Sequence, residues 1–299
     1  MAGAEIDLAG FDIYVPTSLA DALSYMEEFG EGTTVLARGT DLVPRLKRRQ
    51  VTASNLLDLS GLELDLRYVR VDGGSLRIGA LTTVSDLLES PSIGKELEVI
   101  RDAGSKFGDP QIRNVATVGG NVCSASSSED LIPVLLALDA KLKLSSSKKE
   151  RVVPLKEFIL GKRTTFRKSG EILTEVEVPQ LPSNSGSAYD KLGRRNTLII
   201  ALVNMAVVLT LEPDLETVLK ASVSLNRVSG RIPQRATLVE GYLAGRRLTS
   251  DAVAAAQGIL ANELSLGSDF RASGEYRADV AKVFLGRLLG RCVSRIRGS

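Results

Sequence analysis

Residues 111–140 read QIRNVATVGGNVCSASSSEDLIPVLLALDA, and the order of residue types in them sets what the rest of the chain has to build. Thr117, Gly119, Gly120 and Asn121 predict a tight polar turn. A serine-rich loop follows, and Glu129 and Asp130 open an apolar run that predicts a buried helix over Asp130 to Leu138. Strand, glycine turn and helix start is an arrangement that holds phosphate. Glycine has no Cβ, so main-chain N–H groups can approach an anion closely and take positive φ where the turn needs it.

A second glycine loop lies upstream in TTVLARGTDLVPRLKRR, where the stretch Thr33 to Ala37 runs into Arg38, Gly39, Thr40 and Asp41. Two separate anion cradles suit a dinucleotide such as FAD, with its diphosphate between two bulky ends, better than a lone phosphate. Neither loop is a GxGxxG fingerprint or a P-loop, because neither motif occurs in the chain.

The whole composition narrows the chemistry further. At 299 residues the chain has room for two or three modules, since single cores stop growing near ~250–300 residues. A net charge of +2 with mixed signs gives no electrostatic case for nucleic acid. No apolar run reaches the ~18 residues that span a bilayer, and no basic, apolar leader opens the sequence, so a soluble, cytoplasmic protein is expected. Histidine is absent, which removes the commonest general base and zinc ligand. Only Cys123 and Cys292 are present, too few for the four thiolates of an iron–sulfur cluster. Cys123 reads as a small buried thiol rather than a redox group.

Working outward, Ser18 and Asp21 have capping-box spacing at the start of a helix that stops at Gly30. A strand at Thr33 to Ala37, a basic stretch Arg45 to Arg49 and a strand at Asn55 to Leu59 complete a β-α-β-β unit over 1–60. A second unit, 61–180, opens with a hairpin around Gly73 and Gly74, repeats the capping box at Thr83 and Asp86, and ends on EILTEVEVP, which alternates as a strand. QLPSNSGS, residues 180–187, reads as a linker. The third unit, 181–299, predicts strands at Ala188 to Leu192, Ala201 to Leu211 and Leu219 to Arg227, then helices near Asp251 to Leu264 and Glu275 to Ile296. The expected fold class is α+β: two units that carry the glycine loops, followed by a three-stranded antiparallel sheet with a helical bundle.

ARGTDL, then QIRNVATVGGN with an Asp nine residues after the Asn, then LIPVLLALDAKLKL, EILTEVEVP and AYDKLGRR, occur in the order and spacing of one family. Over almost its whole length the chain resembles the FAD-binding medium subunit of molybdenum hydroxylases, the carbon monoxide dehydrogenase and xanthine dehydrogenase group, whose FAD domain is of the vanillyl-alcohol-oxidase type. The resemblance implies that the first two units are the lobes of a two-lobed FAD-binding domain and that FAD lies between them, its diphosphate against Ala37, Arg38, Gly39, Thr40 and Asp41 and against Thr117, Gly119, Gly120 and Asn121. It implies further that Asp130 hydrogen-bonds the ribityl chain, that Leu173 and Lys191 lie beside the isoalloxazine ring, and that Ser126 touches the diphosphate or ribityl group. Read from the residues alone, Asp130 could instead cap the following helix, Lys191 could be a surface residue and Ser126 loop filler.

Two positions depart from the family. Arg38 replaces the first of two glycines and is expected to take away backbone freedom there, and Ser127 stands where relatives often have proline. The resemblance also implies that molybdopterin and iron–sulfur clusters sit in partner subunits, a large and a small one. The chain would then relay electrons to an external acceptor: NAD, a quinone, an iron–sulfur protein or oxygen. No acid–base residue is expected of the chain itself. A stand-alone flavin reductase, like the enolpyruvyl reductase of cell-wall synthesis, and a scaffold subunit that has lost FAD are the alternatives.

Overall fold

The computed structural model describes residues 10–193, 200–226 and 233–298, and its elements fall into three units that follow one another along the chain. The first holds β1 (Asp12–Tyr14), α1 (Leu19–Phe29), β2 (Thr33–Leu36), α2 (Leu42–Lys47) and β3 (Asn55–Asp58), with the strands all parallel in the order β1-β3-β2. Ser18 caps α1 by accepting from the Asp21 amide at 3.1 Å. The expected box is only half formed, because the Asp21 carboxylate turns to the Tyr14 hydroxyl at 2.6 Å and the Thr17 amide at 2.9 Å. The basic stretch winds into α2, so the unit is β-α-β-α-β rather than β-α-β-β. Pro44 sits in the first turn of α2, where no intrahelical donor is lost.

A short helix, α3 (Glu63–Leu66), leads into the second unit. There β4 (Val69–Asp72) and β5 (Ser75–Gly79) form the expected hairpin, with Gly73 and Gly74 at φ +56° and +73° as a two-residue turn demands. Five helices follow: α4 (Val84–Glu89), α5 (Glu98–Ser105), α6 (Pro110–Arg113), α7 (Val118–Ser124) and α8 (Leu131–Ala137). Thr83 and Asp86 make the complete capping box of α4, and every residue of α8 is buried. Then come β6 (Lys141–Ser145), β7 (Glu150–Pro154), α9 (Leu155–Phe158), β8 (Ile159–Gly161), β9 (Thr164–Thr165) and β10 (Ile172–Pro179).

The main sheet has the order β4-β5-β10-β6-β7, which puts β10 at its centre. The alternation of EILTEVEVP therefore does not mean one wet face: Leu173, Thr174, Glu175 and Val176 are all buried. The Glu175 carboxylate tolerates this because the Tyr68 hydroxyl donates to it at 2.7 Å and Arg77 at 2.8 Å.

In the third unit β11 (Ser185–Leu192), β12 (Val203–Leu211), β13 (Val218–Asn226) and β14 (Gln234–Arg235) form an antiparallel sheet in that order. Four strands stand where three are expected, since a two-residue strand is too short to show an alternation. The predicted strand end at Arg227 lies outside the described residues, as do Arg194 and Arg195 of the AYDKLGRR motif. The last three of the eight residues of the expected linker, Ser185 to Ser187, are strand. Gly186 within it lets α12 lie directly on β11, for a Cβ there would stand 2.4 Å from the Cys292 carbonyl oxygen. Behind the sheet are α10 (Thr237–Leu243), not foreseen, and the two expected helices α11 (Ser250–Glu263) and α12 (Gly274–Arg297).

Each unit has its own apolar cluster, but Tyr189, Ala206 and Val208 of the third sheet pack into the core of the second unit. Arg295 on α12 reinforces that seam with a two-pronged pair to Asp102 on α5, at 2.7 and 2.8 Å. Among the described residues no helix is long and apolar enough to cross a membrane.

Candidate cofactor cleft

A cleft of about 260 Å³ opens between the first and second units, and both glycine loops reach it. Residues 37–41 form one wall, Thr117, Gly119 and Gly120 the opposite one, and Leu173 on β10 part of the floor. Thus most of the expected positions converge. Asn121, Ser126, Asp130 and Lys191 are not among the residues that line the cleft.

The first loop has the character the sequence predicts. Gly39 adopts φ +74°, and a Cβ there would press on the Val43 side chain at 2.7 Å, so the position requires glycine twice over. Among the described residues the amides of Arg38, Gly39 and Thr40 find no protein acceptor. Arg38 does not have positive φ, so an arginine costs the backbone nothing here and the expected loss of freedom does not arise. Its guanidinium forms an ion pair with Glu63 of α3, while its Nε is buried without a partner.

The second loop differs from expectation. It is the first turn of α7, and its donors are already engaged: Val118 N–H with the Thr82 carbonyl at 2.9 Å, Gly119 N–H with that of Ala80 at 2.9 Å, and Gly120 N–H with the Thr117 hydroxyl at 3.0 Å. The Asn121 amide closes back on the Thr117 carbonyl. The glycines here serve close approach instead of anion donation. A Cβ on Gly119 would meet the Ala80 carbonyl oxygen at 2.7 Å, and one on Gly120 would meet Thr117 Oγ1 at 2.8 Å while facing Ala37 across the cleft at 4.0 Å.

Asn121 turns away from the cleft to donate through Nδ2 to the Glu129 carboxylate, which leaves its buried Oδ1 without a partner. Burial pushes the Glu129 carboxyl up to about 8, opposed by the Ser124 hydroxyl that donates to it at 2.5 Å. Ser126 makes a local turn, its hydroxyl accepting from the Ser128 amide at 3.4 Å.

Asp130 and Lys191 meet each other at the seam of the second and third units. The Asp130 carboxylate receives Lys191 Nζ at 2.5 Å, the Tyr189 hydroxyl at 3.0 Å and Asn204 Nδ2 at 3.1 Å, and the lysine side chain is only 2% exposed. Lys191 is therefore no surface residue, and Asp130 makes no side-chain cap on α8. Burial raises the Asp130 carboxyl, and the facing ammonium opposes that shift.

Sequence reasoning passed over two arginines from the run KRTTFRK. Arg163, between β8 and β9, spans both loops by pairing with Asp41 and donating its amide to the Ala125 carbonyl at 2.9 Å. Arg167 lines the cleft outright. The density of positive charge in that run was the available signal. Cys123 also lines the cleft, and burial pushes its thiol up to about 11, away from thiolate chemistry.

Residues 9–181 match the family described as the FAD binding domain in molybdopterin dehydrogenase, and residues 187–292 match the CO dehydrogenase flavoprotein C-terminal domain. The carbon monoxide dehydrogenase medium chain of Afipia carboxidovorans is 32% identical over 96% of this chain and 98% of its own. The alpha subunit of the 6-hydroxypseudooxynicotine dehydrogenase complex of Paenarthrobacter nicotinovorans is 32% identical over 96% of each. Among solved structures, the Cu,Mo-CO dehydrogenase superposes with a TM-score of 0.89 at 32% identity over 96% of this chain and 98% of the other. The cleft fits the cofactor that these matches name. The first loop lines it with amides that have no protein acceptor and with Arg38, whose buried Nε has no partner, and a side chain at Gly120 would intrude on it opposite Ala37. The chain belongs to the FAD-binding medium subunits of the molybdenum hydroxylases, as an oxidoreductase subunit of the carbon monoxide and xanthine dehydrogenase type.

Proposed function

We propose that this chain is the electron-relay subunit of a three-part molybdenum hydroxylase, taking electrons from an iron–sulfur small subunit and passing them to an external acceptor. Substrate would be oxidised at a molybdopterin-binding large subunit. When bound, FAD supplies a carrier that exchanges electrons singly or in pairs. The chain's own residues bind and orient it. The amides of Arg38, Gly39 and Thr40 receive the diphosphate, α7 presents a wall trimmed by Gly119 and Gly120, and Leu173 offers an apolar surface.

The observation that carries this reading is the row of unengaged amides in the first loop, facing a wall whose own donors are satisfied. Arg38 and Gly39 are half-buried, where unmet donors are costly, and with the exposed Thr40 amide they offer a row of donors to an acceptor that the protein does not provide. The test is to purify the chain with its partners and alone, and to measure flavin stoichiometry and bleaching by dithionite. One FAD per chain, reversibly reduced, and co-purification with iron- and molybdenum-bearing subunits are expected. A colourless chain that rejects added FAD would overturn the proposal, and full turnover by the lone chain would point to a self-sufficient reductase.

A further inference from the structure

Three arginines and two carboxylates line the cleft, and their pairing is unequal. Arg38 is held by Glu63. Asp41 is taken by Arg45 at 3.4 Å and by Arg163. Glu171 is taken in two-pronged fashion by Arg151, at 2.7 and 2.9 Å. That leaves Arg167. Its guanidinium donates to the main-chain oxygens of Glu171 at 2.8 Å and Lys168 at 3.4 Å, and no carboxylate of the described residues comes within ion-pair distance of it.

The two carbonyl bonds hold the group at the end of β10 without neutralising it. A guanidinium has five donors in a rigid fork, and carbonyl acceptors leave both its charge and part of that fork available. We propose that Arg167 is a specificity-determining residue of the cleft: it takes the diphosphate of the nucleotide and so favours FAD over a flavin that carries no phosphate. The proposal rests on the cofactor reading above and adds a side chain to it. The unengaged amides of the first loop recognise the same anion as neutral donors, whereas Arg167 adds a charge-assisted contact, stronger and sensitive to salt.

The test uses the full chain stripped of flavin, with FAD, ADP and riboflavin titrated separately into wild type, Arg167→Gln and Arg167→Lys. In Arg167→Gln the affinities for FAD and ADP should each fall about tenfold, the change expected for one lost charge-assisted bond. Riboflavin binding should be unchanged, and Arg167→Lys should recover most of the loss. FAD affinity should also fall less steeply with salt in the glutamine variant than in wild type. Equal FAD affinity in wild type and Arg167→Gln would overturn the role of Arg167. An equal loss for riboflavin and ADP would show instead that the residue only shapes the wall. Unchanged affinity with a shifted flavin midpoint potential would place its charge at the ring, against the proposal. If wild type itself binds neither FAD nor ADP, the cofactor reading and this inference fall together.

Discussion

Arg163 and Asp41 lie 122 positions apart in sequence and form a two-pronged pair at 2.5 and 2.9 Å that ties the first glycine loop to the hairpin of the second unit. The same arginine donates its amide to Ala125, just past α7, so one residue spans both walls of the cleft. The side chains of the pair are 29% and 39% exposed, and ion pairs in that setting contribute at most about 1 kcal/mol. Arg163→Ala should therefore leave thermal stability almost unchanged while speeding FAD release. Stopped-flow release kinetics beside a melting curve would check this, and an unchanged release rate would show that the strap does not gate the cleft.

Arg38→Gly should not improve the site. The arginine has ordinary backbone geometry and is anchored by Glu63. Glycine there adds unfolded-chain freedom worth about 0.5–1 kcal/mol and removes the anchor. Denaturant titration should show a small loss of stability, and FAD affinity should stay level or fall. A gain in affinity would mean that Arg38 obstructs the ligand.

The neighbouring glycines of α7 should respond differently to alanine. Gly119→Ala drives a methyl against the Ala80 carbonyl, which is main chain and cannot move aside cheaply, so folding stability should drop by about 1–3 kcal/mol. In Gly120→Ala the obstacle is the Thr117 hydroxyl, whose displacement costs a helix cap of about 1 kcal/mol and narrows the cleft opposite Ala37. Here FAD affinity should suffer more than stability. Equal behaviour of the two variants in paired melting and binding assays would refute the distinction.

Asp130→Ala strands the Lys191 ammonium in a site where its side chain is 2% exposed. Breaking such a pair costs about 3–5 kcal/mol, whereas removing both charges with apolar replacements of similar volume is far milder. Chemical denaturation of Asp130→Ala against Asp130→Leu/Lys191→Met should show the double variant as the more stable.

Glu129 sets a pH dependence of definite sign. Its carboxyl is pushed up to about 8 in the folded chain from an ordinary value of 4.5, mainly by burial. The native state thus holds a proton that the unfolded state releases. This contribution to stability is complete below about 4.5, declines as the pH rises, and is gone above about 8. Glu129→Gln should flatten that decline. Parallel slopes in wild type and variant between pH 5 and 8, measured as ~2 or more denaturation midpoints on each side, would exclude the group as the cause.

What the sequence disclosed followed from how local each signal was. Capping residues, the Gly73–Gly74 hairpin and the apolar run of α8 act over a few positions, and the structure contains each of them. Long-range relations were not legible in the same way. The alternation in β10 could not tell that Tyr68 and Arg77 would arrive to cover Glu175. The glycine and serines of 180–187 looked slack because the helix that lies on Gly186 is more than a hundred residues away. In the cleft, the glycines marked both walls, but only the register of Thr82 and Ala80 against α7 shows that one wall has no donors to spare. Asp130 and Lys191 were singled out for separate ligand roles, and their meeting with each other depends on β11 bringing Lys191 to the start of α8.

The division of labour between the two walls has an evolutionary corollary. Any change in α7's opening turn must be answered by its supports at Ala80 and Thr82, so that side is frozen by architecture. The opposite lip hangs on a single glycine and a few half-buried ion pairs, and it holds an arginine at position 38 with ordinary backbone geometry. Cofactor retention can therefore drift, tighten or loosen across descendants of this chain through one short segment while the scaffold stays untouched.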